Sequence, residues 1–126
     1  MLPEDDERFL TEAGYQYTAK RGAQGEILLV VPNFDLPAAY SPRKAELLIR
    51  LLPGYPRTPP DMFWTRPDVK LLSTGGFPQA ADVHETHDGL SWQRWSRHFD
   101  PNLWRPMIDG VQSFLRSIKS ELARGY

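Results

Sequence analysis

Four of the eight residues at positions 53–60 are proline, and neither a helix interior nor a central strand runs through such a segment. Each proline removes a backbone donor and fixes φ near about −65°. The chain is therefore divided at this point, and whatever folds before and after it is joined by a rigid, ordered turn. Twelve prolines and fifteen aromatic residues in 126 positions imply several further reversals packed under rings. The length suits one domain, which buries roughly two-thirds of the surface its unfolded chain exposes and needs no disulfide to do so.

Helix signals open the chain. Pro3 fits a first-turn position, Glu4, Asp5 and Asp6 complement the positive end of a helix, and Phe9, Leu10 and Ala13 form an apolar stripe that Gly14 ends. Residues 15–20 and the β-branched run 26–31 flank a Gly-bounded turn and predict a hairpin. Residues 45–52 predict a third strand, with Leu47, Ile49 and Leu51 on one face and Glu46, Leu48 and Arg50 on the other. Residues 61–65 predict a short fourth. Residues 66–100 show no sustained period and are expected to form a long ordered loop anchored by Trp92, Trp95 and Phe99. Trp104, Met107, Ile108, Val111, Phe114, Leu115, Ile118 and Leu122 then recur at helical spacing, predicting an amphipathic helix packed on the sheet and closed by Gly125. The expectation is one α+β domain over residues 1–126: N-terminal helix, four-stranded antiparallel meander, long ordered loop, C-terminal helix.

Charge and composition narrow the function. Fifteen Lys and Arg against 16 Asp and Glu leave a net charge of −1, so no basic excess points to nucleic acid or to an anionic membrane. The absence of cysteine excludes a disulfide scaffold, a CxxC redox site and thiolate zinc sites. No signal-peptide pattern and no run of about 18 apolar residues occurs, so a soluble cytoplasmic protein is expected.

Two motifs carry a family resemblance. The proline segment reads PGYPRTPP, similar to the P-x-x-YPxxPP signature that joins the third and fourth strands of ubiquitin-conjugating (E2) domains. Tyr55 can pack its ring under the turn while Pro56, Pro59 and Pro60 stop strand pairing. E2 domains also place a Trp-x-Pro before a helix eight residues after their catalytic cysteine. Trp104, Arg105 and Pro106 match that element, and counting back eight residues reaches Ser96. The E2 His-Pro-Asn element ends eight residues before the cysteine; the equivalent count reaches Asp88, preceded by His87, a departure from the pattern. With LPEDDERFL at the start and WQRWSRH at 92–98, nearly the whole chain resembles prokaryotic E2 family E. The resemblance implies a UBC-like fold and, as partners, an E1-like adenylating enzyme, a ubiquitin-like protein and a JAB-type metalloprotease of the same pathway.

A hydroxyl standing where relatives keep a thiol raises a chemical question. A serine nucleophile needs a base within hydrogen-bond reach and donors for the oxyanion it creates. His98 is the nearest candidate base, His87 and Asp88 are further candidates from the long loop, and Arg94 or Arg97 could hold a carbonyl oxygen or a ubiquitin-like tail. Trp92 and Trp95 could keep such a site dry. Each has a plainer reading: a turn serine, a histidine on a backbone carbonyl, an Asx turn before Gly89, solvated arginines and structural tryptophans, Trp104 above all. Three functions stay open: an E2-like transferase carrying an oxyester on Ser96, a noncatalytic E2 variant that binds a ubiquitin-like protein or an E1 partner, and a metal-dependent hydrolase on His84, His87, His98 and nearby carboxylates. The last lacks a helical HExxH, so neither a metal nor another cofactor is expected.

Overall fold

The computed structural model describes residues 1–126. Helix α1 (Glu4–Glu12) starts after Pro3 with four acids in its first turn and buries Asp6 and Leu10. Gly14, at φ +80°, turns the chain out of it. Strands β1 (Thr18–Arg21) and β2 (Ile27–Asp35) form the predicted hairpin, and β4 (Lys44–Leu51) and β5 (Phe63–Arg66) complete the four-stranded antiparallel meander. The short strands β3 (Tyr40–Ser41) and β6 (Lys70–Leu71) pair separately.

The segment expected to be loop adds two more strands to this sheet. Strands β7 (Val83–His87) and β8 (Leu90–Trp95) form a hairpin that docks on β5, giving the order β1-β2-β4-β5-β8-β7. Its turn is Asp88-Gly89, both at positive φ (51° and 77°), the two-residue geometry that matches strand twist. The connection from β5 to β7 is ordered by one buried side chain. Gln93 accepts from Val69 N (2.7 Å) and Thr65 Oγ1 (3.0 Å) and donates to Val69 O and Ala81 O (2.9 Å each), satisfying its amide completely.

The C-terminal helix α2 (Val111–Ala123) begins later than the periodicity predicts. Asp109 accepts from Arg105 N at 2.7 Å and Met107 sits at φ +68°, so residues 104–110 form a turn. Met107 and Ile108 are consequently exposed, and Trp104 packs beside Tyr55 with its Nε1 donating to Pro56 O at 2.7 Å. The Tyr55 hydroxyl donates to buried Asp6 (2.7 Å), whose other oxygen accepts from Val111 N at the start of α2 (3.0 Å). Burial and this carboxylate push the Tyr55 phenol well above its ordinary range, so it remains a donor.

The sheet has two different faces. Leu29, Val31, Leu47, Ile49, Leu51 and Trp95 share the main core with Leu10 of α1 and with Phe114, Leu115, Ile118 and Leu122 of α2. Leu28, Leu48, Trp64 and Trp92 form a second cluster on the face that no helix covers. Guanidinium groups roof it instead, Arg50 over Trp64 (5.2 Å) and Arg66 over Trp92 (5.6 Å). This face is concave. Lys20 on edge strand β1 meets Asp88, beside the opposite edge strand, at 2.9 Å. No helix is long and apolar enough to cross a membrane.

Candidate functional site around Ser96

Strand β8 delivers Ser96 to the end of the sheet, where its N–H donates to Ala80 O (2.9 Å) and fixes the exit of the chain. Strand alternation puts Trp92, Arg94 and then Ser96 on the helix-free face. The Ser96 hydroxyl is half-buried and accepts from Arg94 Nε at 2.8 Å. Arg94 also donates from Nη1 to Glu85 Oε2 (2.7 Å), while Glu85 Oε1 accepts from Trp64 Nε1 (2.9 Å) and lies 3.3 Å from His87 Nε2. A polar chain Ser96–Arg94–Glu85–His87 thus runs across β8 and β7. Burial pushes the Glu85 carboxyl up, but the hydrogen bonds from Arg94, Trp64 and His87 outweigh it and hold the group below its ordinary value.

His98 follows two residues later and carries an unanticipated partner. Its Nδ1 lies 2.7 Å from Asp61 Oδ2, and the other oxygen of Asp61 accepts from Phe99 N at 3.1 Å. A carboxylate can only accept, so Nδ1 donates to Asp61 and Nε2 is the nitrogen turned away from it. The imidazole is two-thirds exposed and makes no hydrogen bond to Ser96, from which at most about 7 Å of backbone separates it. Beside this pair, Pro59, Pro60, Phe99, Leu103, Trp104 and Phe114 line a cleft of about 190 Å³.

The other sequence candidates lie elsewhere. His87 and Asp88 are at the hairpin turn, six residues of extended strand from Ser96, or about 20 Å. Asp88 pairs with Lys20, and His87 stands edge-on to Trp64, touching Ser96 only through Glu85 and Arg94. The structure therefore does not bring them to the hydroxyl, and the carboxylate that stands beside the His98 imidazole is Asp61. Arg97 is interior, stacked on Trp95 (4.9 Å) and bonded to Gln79 O and Tyr126 O. A guanidinium so placed holds the chain together and is not free for a partner. Trp92 and Trp95 are likewise buried on opposite faces, as anchors and not as exposed platforms. Of Arg94, Arg97, Trp92 and Trp95, only Arg94 forms a hydrogen bond with Ser96. Tyr55, Pro56, Pro59, Pro60, Trp104 and Pro106 frame the turns around α2.

Nor do the imidazoles gather. His84 bonds Asp68 (2.7 Å), His87 faces Glu85 and His98 faces Asp61, and no three ligating side chains come together. Sequence reasoning missed Asp61 altogether and placed Glu85 only among the carboxylates of a metal site, not beside Arg94. The alternation of Glu85 with His87, and of Trp92 with Arg94, around an Asp-Gly turn was the available signal for Glu85; nothing local marks Asp61.

The family model described as Prokaryotic E2 family E matches residues 2–125. No curated protein and no solved structure matches the chain.

Proposed function

Because the chain belongs to prokaryotic E2 family E and has no cysteine, we propose that it is an E2-like carrier. It accepts the C-terminus of a ubiquitin-like protein from an E1-like adenylating enzyme onto Ser96, as an oxyester, in a bacterial conjugation pathway of the cytoplasm. A JAB-type metalloprotease in the same pathway would reverse or process the product. The observation that carries this reading is the Asp61–His98 pair two residues beyond a serine already held by a guanidinium.

The step is a transesterification. The step requires His98 Nε2 to come within hydrogen-bond reach of Ser96, where it takes the Oγ proton as the new O–C bond forms at the carbonyl of the E1-bound thioester. The C–S bond then breaks and the thiolate leaves with that proton. Arg94, a permanent cation that donates to Ser96 Oγ, favours that oxygen as it gives up its proton to become the nucleophile. The cleft that Pro60, Phe99 and Trp104 share with Asp100, Asp109 and Ser113 offers a partly apolar, partly polar bed for the tail. In the second half-reaction an amine acceptor attacks the ester carbonyl: the C–N bond forms, the C–O bond to Ser96 breaks, and His98 passes the amine's proton to the departing Ser96 Oγ.

One observation favours a second reading, a noncatalytic E2 variant that binds a ubiquitin-like protein or its E1 partner. The Ser96 hydroxyl accepts from Arg94, and no base is in hydrogen-bond contact with it. Incubation with the E1-like enzyme, the ubiquitin-like protein and ATP separates the two. The transferase gives an adduct that resists thiols, is cleaved by hydroxide and is lost in Ser96→Ala. Binding without an adduct, or an adduct that survives Ser96→Ala, establishes that Ser96 is not the acceptor.

A further inference from the structure

We propose that the bowl at the open end of the concave sheet face binds a small zwitterion, its carboxylate held by Arg50 and its ammonium by Glu26. The bowl measures about 590 Å³ and is lined by Arg21, Gly22, Glu26, Arg50, Glu85 and His87 among others, a size usual for small-molecule sites. It lies at the hairpin turn, about 20 Å along β8 from Ser96, and does not depend on the chemistry proposed there.

The charges around it are unequally engaged. Glu85 is paired with Arg94 and Asp88 with Lys20. Arg50 forms no ion pair and no side-chain hydrogen bond; its guanidinium rests on the Trp64 ring, 5.2 Å from the centroid, with its edge left for a ligand. Glu26 is 6% exposed and has no cationic partner. One of its oxygens accepts from Gln24 N (3.1 Å) and the other has no hydrogen-bond partner. The carboxylate lies against Gly22, where any Cβ would collide with it. The free oxygen stays accessible from the bowl, and a bound ammonium supplies the cation that this carboxylate lacks.

Spacing fits the ligand. Arg50 pairs across the ladder with Leu28, and Glu26 precedes Leu28 by two residues on the same face, a diagonal of about 7–8 Å. The two opposite charges share the bowl without meeting as an ion pair, so a group carrying both signs bridges them. An anion alone faces Glu26, Glu85 and Asp88, and a cation alone faces Arg50 and Arg21. Arg21, whose only side-chain hydrogen bond is to Gly25 O, can take a second carboxylate, which makes L-glutamate the most suitable probe.

The test is a titration of the full ¹⁵N-labelled chain with L-glutamate, followed at the Arg50 Nε–H and the Trp64 indole N–H, with acetate and methylammonium as single-charge controls. The expected result is saturable shifts at both groups, binding of either control at least about tenfold weaker, and a loss of about tenfold in Arg50→Gln and in Glu26→Gln. Absence of saturable shifts overturns the proposal, as does acetate binding equal to that of L-glutamate. Should Glu26→Gln fail to fold, Arg50→Gln and Arg50→Lys decide alone: binding as tight as the parent's in both overturns it, and weakening in both supports it.

Discussion

Arg94 divides one guanidinium between two acceptors, Ser96 through Nε and Glu85 through Nη1, a geometry that the point charge of lysine does not reproduce. Arg94→Lys is therefore expected to slow adduct formation on Ser96, and His98→Gln to slow it by roughly 100-fold; single-turnover kinetics with the charged E1-like enzyme measure both. Glu85 supplies a pH signature. Its pKa is depressed in the folded chain below the ordinary 4.5, so its contribution to stability is complete above the unfolded-state value and is lost as pH falls through the folded one. Urea denaturation between pH 7 and pH 3 is expected to show a shallower acid loss in Glu85→Gln than in the parent. Tyr55→Phe deprives a buried, charged Asp6 of its phenol donor, which is expected to cost about 1.5–3 kcal/mol in the same experiment.

Among the elements, the hairpin β7–β8 has the largest consequence, because it converts a meander with a long loop into a six-stranded sheet and carries Glu85, Arg94 and Ser96. Its stability reaches beyond its own strands through Gln93. Replacing Gln93 by Leu leaves Val69 N, Val69 O and Ala81 O without their partner, at about 1–3 kcal/mol each. A loss of at least about 3 kcal/mol is expected, with faster amide exchange in residues 67–82; a loss under about 1 kcal/mol would show that water replaces the amide. Helix α2 shows the complementary case. Its first N–H is capped by Asp6 from α1, and a Cβ on Gly110 would come within 2.7 Å of Asp6 Oδ1, so Gly110→Ala is expected to destabilise by steric displacement of that cap.

At the scale of the molecule, the twist of six strands brings the two sheet edges together at Lys20 and Asp88. Both side chains of that bridge are about half to two-thirds exposed, and such pairs are worth about 0–1 kcal/mol and are screened by salt. Lys20→Ala is expected to leave stability within about 1 kcal/mol of the parent's, because the curl comes from the strands and from the aromatic cluster beneath them. A larger loss would make the bridge the cause of the curl.

Periodicity and turn chemistry settled α1, the first hairpin, the meander and most of α2, since each buries a regular apolar stripe that reads directly along the chain. The resemblance to E2 domains, counted back eight residues from Trp104, pointed to Ser96. The start of α2 was not legible, because Trp104, Met107 and Ile108 keep helical spacing while Asp109 closes a turn that spacing does not express. The hairpin β7–β8 was only partly legible: its Asp-Gly turn is a strand signal, but His84, Thr86, Ser91 and Gln93 hide the alternation under polar side chains. The surroundings of Ser96 were decided by tertiary structure alone. Asp61 reaches His98 across 37 residues and Glu85 reaches Arg94 across a strand pair. Contacts of that kind depend on register and on sheet curvature, which are properties of the packed whole and leave no trace in the local order of residues.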